Sequence, residues 1–295
     1  MRPFFENNVL QQQPFKPMII VVDTTKAGSA SNTFVLPIIK DTTETVKIYW
    51  GDGTNSVGVN GDNTHVYAAS GIYTVKIESR LFGGIYFNNL GDKAKITKIA
   101  NYGQGVSRLN IGSFYGCSSL LSIDIGNIIS NGADASNQYR GCTSLTTVPL
   151  LNLSSVTNAY AMFLGCTPLT VIPFFDLSNL TNATSMFYQC SNITTVPLFD
   201  LSKVTNATHM FYQCSKLTTV PLFDLSNLIN ATEMFLGVTL TTQSYSDFLI
   251  NLATLPLQSG VSFHGGNSKY NPTAAIARAY LISNFGWTIT DGGAA

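Results

Sequence analysis

The sequence predicts a mainly β protein with short helices, built from a β-sandwich, a stack of repeats and an α/β cap. Three observations carry that expectation. Residues 18–105 hold short β-rich runs separated by Gly, Asn, Asp and Ser clusters. Cys142, Cys166, Cys190 and Cys214 then recur at a step of 24 residues, and the chain after Leu240 loses that period. Self-similarity at 20 to 50 residues is the signature of a stack in which each unit buries its apolar side only against its neighbours.

Composition narrows the function classes. Of 295 residues 45% are apolar and only 11% charged, with Lys+Arg and Asp+Glu balanced at 16 each. The surface is therefore expected to be built from Asn, Thr, Ser, Gly and Tyr. Such a neutral surface has no electrostatic footprint for a phosphate backbone, so nucleic acid is not an expected partner. The start, Met1 to Asn8, lacks the apolar core of a secretory signal, and Met18–Val22 is far too short to span a membrane. Residues 1–17 are expected to form an arm that docks into a larger assembly.

In residues 18–105, strands are expected at Met18–Val22, Thr33–Ile39, Thr45–Trp50, Gly71–Glu78 and Ile85–Asn88, the pattern of an antiparallel sandwich. Trp50-Gly51-Asp52-Gly53 forms a tight turn in which Asp52 can accept from nearby backbone N–H groups. His65, Tyr67, Gly71, Tyr73, Thr74 and Val75 follow as a turn and an alternating strand. Together these residues resemble the PKD family of immunoglobulin-like domains. The resemblance implies an immunoglobulin-like β-sandwich and structural roles for Asp52 and His65.

The repeats occupy residues 106–240. Met162, Met186, Met210 and Met234 keep the 24-residue step, as do Pro149, Pro173, Pro197 and Pro221 and Asn158, Asn182, Asn206 and Asn230. Ala207, Met210, Phe211 and Cys214 stand at i, i+3, i+4 and i+7, which predicts a short helical turn; Leu217–Leu225 predicts a strand. The asparagines suit a helix cap or a turn. The phrase carried by Met186-Phe187-Tyr188-Gln189-Cys190, by Met210-Phe211-Tyr212-Gln213-Cys214 and by Phe174-Phe175-Asp176-Leu177-Ser178 is similar to the BspA-like leucine-rich-repeat proteins. The resemblance implies an α/β leucine-rich-repeat solenoid.

The periodic polar residues read as architecture. Five cysteines in an apolar ladder suit packed thiols, and no paired C-x-x-C or C-x-x-H offers a zinc site. Stacked Asp176, Asp200 and Asp224 need capping by N–H groups, by Ser178, Ser202 and Ser226, or by calcium. Asn182-Ala183-Thr184 matches a glycosylation sequon whose recurrence has a structural explanation. Between these fixed positions lie variable ones: Asn137, Ala161, Ser185, His209 and Glu233 in one row, Ser155, Asn179, Lys203 and Asn227 in another, and Tyr188 and Tyr212 before the cysteines. Tyr188, Tyr212, His209, Glu233 and Lys203 are the candidate partner-binding residues, and tyrosine and amide groups suit carbohydrate or protein.

Residues 241–295 are expected to close the stack, with helices at 244–252 and 273–283 and strands at 261–263 and 287–290. His65, His209 and His264 fall in separate segments and no nucleophile motif is present, so no catalytic, cofactor or metal residues are expected. The expected function is a non-enzymatic structural or adhesive protein on a surface. A phage virion component is the first setting: a tail fibre, receptor-binding or capsid decoration protein, multi-copy or homo-oligomeric, contacting other virion proteins through the arm and a host protein or glycan through the repeats. A secreted bacterial BspA-like adhesin is the alternative.

Overall fold

The computed structural model of the protein describes residues 16–40, 43–80, 83–103, 112–124 and 133–295. The expected docking arm falls almost wholly outside the described residues.

The first region is built from two sheets. Strands β1 (Met18–Asp23), β2 (Thr33–Ile39), β3 (Val46–Tyr49), β4 (Asn55–Gly58), β5 (Gly61–Val66), β6 (Ile72–Glu78), β7 (Gly84–Ile85) and β8 (Ile96–Asn101) come first, and β9 (Ser122–Ile123) follows from the start of the repeats. One sheet has the order β4-β3-β6-β1-β8-β9 and the other β5-β2-β7. The strands bury alternate residues, such as Met18, Ile20 and Val22 on β1 and Phe34, Leu36 and Ile38 on β2, as the two-residue period of a pleated strand requires. An ion pair sits in this region with its charges out of water. Lys95, fully buried, donates to the carbonyls of Ser29, Ala30 and Thr33, while buried Asp92 accepts from the N–H groups of Ser29 and Val35. Both charges are hydrogen-bonded, the condition under which a buried pair is tolerated.

A mainly β chain with two helices is what forms, but two parts of the expected fold class need correction. The larger sheet is not a closed antiparallel immunoglobulin-like layer: β9 joins β8 in parallel, pairing Lys98 with Ser122 and Ile99 with Ile123. The sheet therefore continues into the segment that follows it.

The second correction concerns the repeats, which form no α/β leucine-rich-repeat solenoid. Residues 133–240 contain no helix and no strand, only single parallel bridges that join Asp134, Asn158, Asn182, Asn206 and Asn230 in turn. The expected helical turn is broken because His209 and Gln213 have φ of 57° and 55°, and an α-helix needs negative φ throughout. The N–H groups take turns instead. Those of Met210, Tyr212 and Cys214 donate to the carbonyl three residues back, at 3.0–3.1 Å, while those of Ala207, His209, Phe211 and Gln213 donate to Asn230, Thr232, Met234 and Leu236 of the next unit. Each unit is a run of tight turns, and alternate N–H groups tie it to the next. The expected strand at 217–225 lacks a ladder; Thr218 N–H to the Thr194 carbonyl, at 3.2 Å, is its bond to the preceding unit.

Aromatic rings fill the column. Phe114, Tyr139, Phe163, Phe187, Phe211 and Phe235 stack in sequence with centroids 5.5–5.8 Å apart and planes within 9°. Phe175, Phe199 and Phe223 form a second file at 6.2 and 6.5 Å. The wider spacing lies on the proline side, where the backbone bonds between units are sparse.

Helices α1 (Thr242–Leu252) and α2 (Pro272–Phe285), with parallel strands β10 (Ser262–His264) and β11 (Thr288–Thr290), close the column. Both helices start on side-chain caps, Thr241 and Asn271, and α2 ends at Gly286 in the left-handed region. Strand β10 stands where a further unit would: Ala231 and Phe235 donate to the Ser262 and His264 carbonyls. Phe248 and Phe263 meet Phe235 edge-on, at 87° and 78°, and end the ring stack.

Candidate functional site

Most periodic side chains of the column are spent on the column itself. Cys166 Sγ donates to the Tyr139 carbonyl at 3.2 Å and Cys190 Sγ to that of Phe163 at 3.2 Å; Cys142 and Cys214 do the same one unit away. All five thiols are free and buried, and burial pushes each thiol up, Cys166 to about 12. They are poor nucleophiles and poor ligands in that state. Asn182 accepts from Thr184 N–H at 3.0 Å and donates to Asn158 Oδ1 at 3.0 Å. Its amide is thus committed within the fold, which argues against its use as a glycan acceptor.

The aspartate row is capped by its own serines. Asp176, Asp200 and Asp224 each accept from the hydroxyl and the N–H of Ser178, Ser202 and Ser226, at 2.5–3.1 Å. The serine hydroxyl, and then the serine N–H, hold the Asp176 and Asp200 carboxyls below their ordinary value. Among the described residues no group of three or more His, Cys, Asp or Glu side chains is placed to hold a metal ion.

The variable positions behave differently, and four of the five candidates come together. Tyr188 and Tyr212 stack face to face at 4.5 Å and 3°. His209 meets both rings edge-on, at 6.1 and 5.4 Å, and its Nε2 lies 3.0 Å from Glu233 Oε2. Burial, the Tyr212 hydroxyl and the Glu233 carboxylate raise the Tyr188 phenol above its ordinary value. The stacking occupies one face of each ring. Lys203 is not part of this patch; its ammonium donates to Asn179 Oδ1 at 2.7 Å, one unit back.

Sequence reasoning passed over two further residues. Two backbone positions per unit are left-handed. The first holds Asn137, Ala161, Ser185, His209 and Glu233; the second holds Gly141, Gly165, Gln189, Gln213 and Gly237. Gln189 and Gln213 thus carry side chains where the other units keep glycine, at a conformational cost on the order of 1 kcal/mol each. Gln189 Nε2 donates to Gln213 Oε1 at 2.9 Å. With Thr167, Ser191, Ser215 and Gly237 they line a shallow groove of about 520 Å³. The signal was readable as glutamine in a glycine column, but it gains meaning only once those glycines are known to have positive φ.

A separate row of apolar side chains, Leu150, Phe174, Leu198 and Leu222, is exposed just after the repeated prolines. In the first region, Trp50, Asp52, His65 and Tyr67 pack into one cluster. His65 stacks on Trp50 at 4.8 Å with Nε2 2.7 Å from Asp52 Oδ2, and Tyr67 donates its hydroxyl to the Trp50 carbonyl at 2.9 Å. His264 accepts from the Gly266 N–H through Nδ1 at 3.0 Å, far along the chain from the other two histidines.

These features define a class: a mainly β protein in which a two-sheet region leads into a column of hydrogen-bonded turn repeats with a variable outer patch. Residues 133–248 match the family model DUF285, described as a Mycoplasma protein of unknown function. The match covers less than half of the 295 residues and spans the repeats and the start of α1. No curated protein matches the chain, and no solved structure matches it. No helix among the described residues is long and apolar enough to cross a membrane.

Proposed function

We propose that the chain is a non-enzymatic structural or adhesive protein displayed on a surface, where its repeat column presents a binding face. One observation carries this reading. The fixed residues of each unit are consumed by ladders of hydrogen bonds and stacked rings, while the departures from the repeat gather outside at Tyr188, Gln189, His209, Tyr212, Gln213 and Glu233. A regular scaffold that gathers varied polar and aromatic side chains into an outer patch suits recognition better than turnover.

The first setting is a phage virion component, in the tail or on the capsid, that contacts a host protein or glycan through this patch and other virion proteins through residues 1–17. The second is a bacterial BspA-like adhesin, and the match of residues 133–248 to a Mycoplasma family favours it. The PKD resemblance of the first region is compatible with either. Immunogold labelling with antibody against residues 133–295, on intact phage particles and on bacterial cells, separates the two. Label on the particle exterior supports the first setting and label on cells alone selects the second. Label on neither, with the chain confined to the soluble fraction, removes both.

A further inference from the structure

The groove beside the tyrosine pair has a lining whose chemistry selects a ligand class. Thr167, Ser191 and Ser215 recur at the same place in three successive units, and Gln189 and Gln213 lie between them. No charged and no large apolar side chain lines it. The single bond between the two glutamines leaves the Gln213 amide nitrogen and the Gln189 carbonyl oxygen without a partner among the described residues. The groove therefore offers neutral donors and acceptors side by side, the complement of a polyhydroxylated ligand rather than of an anion or an apolar peptide.

The groove also has a direction. Three of its lining residues, Gln189, Gln213 and Gly237, hold the second left-handed position of their units, and Gly165 and Gly141 hold it in the two units before, so that the five positions define a track along the column. At Gly165 a Cβ would meet nothing closer than the Gly141 Cα at 3.9 Å, so the track is open there. At Gly141 the nearest atom is the Gly116 Cα at 3.7 Å, and only at Gly116, two units before Gly165, is it shut, because a Cβ there would lie 2.2 Å from Asn89 Oδ1. Glycine keeps backbone approachable to a ligand. Equivalent groups recur once per unit, at the spacing of the stacked rings, 4.5 Å for Tyr188 on Tyr212 and 5.7 Å for Phe187 on Phe211. That repeat is comparable to one sugar ring of a linear chain.

We propose that the Gly141–Gly237 track binds a linear, neutral oligosaccharide laid across successive units, with Gln189 and Gln213 as its hydrogen-bonding centre. The proposal deepens the surface-binding reading above and rests on it. The glutamines at left-handed φ have a reason to persist in this account: they supply the two amides that the other units lack.

The test uses the full chain with chitotetraose and cellotetraose as probes, read by calorimetry and by NMR of the glutamine side-chain amides. Saturable binding of at least one is expected, with the Gln189 and Gln213 amide signals shifting. The double variant Gln189→Gly, Gln213→Gly restores the residue that neighbouring units carry, so it should fold and melt no lower than the parent. It should bind about tenfold more weakly or worse. Binding of neither sugar overturns the proposal, as does binding that the double variant retains or that leaves both amide signals unmoved. Adhesion of the chain to cells, measured in parallel, keeps the two readings apart. Cell binding that survives the double variant and is abolished by protease treatment of the cells identifies a protein receptor. It sinks the sugar track while leaving the surface-binding reading intact.

Discussion

The two-sheet region and the repeat column satisfy the same backbone groups by opposite means. In the sheets, paired strands exchange N–H and carbonyl groups along continuous ladders, as β1 does with β6 from Met18 and Ile77 to Asp23 and Ile72. In the column, half the N–H groups of each turn segment close local turns and half cross to the next unit. The first arrangement asks for alternation and β-propensity. The second asks for residues that accept positive φ at two places in every unit, and for identical neighbours above and below. The column is thus more repetitive in sequence and more dependent on side chains: asparagine, threonine and cysteine each add a ladder of their own.

Alkali should separate the regions most strongly. All five cysteines lie in the column or at its start, and burial raises each folded thiol above its ordinary value. The folded state therefore holds protons that the unfolded chain releases. Stability from the thiols is fully present below the ordinary thiol value, 9.0, and is lost as pH rises toward about 12, the value for Cys166. Denaturant melts between pH 8 and 11, with thiolate absorbance recorded in parallel, should show the column unfolding first. Loss of the sheet region at the same or lower pH would break the comparison.

Phe187→Ala removes a ring that touches Phe163, Phe199 and Phe211. A loss of about 3–5 kcal/mol is expected by urea denaturation, since rigid neighbours on both sides prevent collapse of the cavity. In the sheet region the sharpest test is a pair of glycines with the same φ of 91°. A Cβ on Gly51 would lie 2.6 Å from the Thr74 carbonyl oxygen, whereas one on Gly53 meets nothing within 4 Å. Gly51→Ala should therefore cost about 2–3 kcal/mol and Gly53→Ala about 1 kcal/mol in thermal melts. Equal losses would show that φ alone governs the turn.

Asn182→Ala deletes one bond to its own unit and one to the unit before, and should cost about 1–2 kcal/mol in the same assay. The smallest effect is expected at Asp52. Burial pushes its carboxyl up, but the bonds from Thr54 and His65 outweigh that and hold it at about 2 against an ordinary 3.8. Its contribution is present above the ordinary value and fades as pH falls through about 2. Asp52→Asn should flatten the acid limb of stability between pH 4 and 2, and an unchanged limb would remove Asp52 as its source.

How much was legible follows from the same contrast. Strand β2 was readable to the residue, and α1 and α2 to within a few, because alternation, caps and a closing glycine are local signals. Strand β9 was not: two residues, Ser122 and Ile123, carry no periodicity, and their partner β8 decides them. The helical spacing of Ala207, Met210, Phe211 and Cys214 was genuine but belonged to a run of turns with the same inward residues. Of the candidate site, Tyr188, Tyr212, His209 and Glu233 were found as departures from the repeat, while Lys203 points to a different row.

The sequence by itself determined the period, the inward residues of each unit, the capping of the far end and the neutral, amide-rich exterior. These follow from composition and spacing, which act locally or between identical neighbours. Only the tertiary structure decided what backbone those units adopt, where the sheet ends and which outward residues meet. The reason is physical. Positive φ at His209 and Gln213 is tolerated because the N–H groups of both find carbonyls in the next unit, 3.0 and 2.7 Å away. A single unit read alone offers no such acceptor.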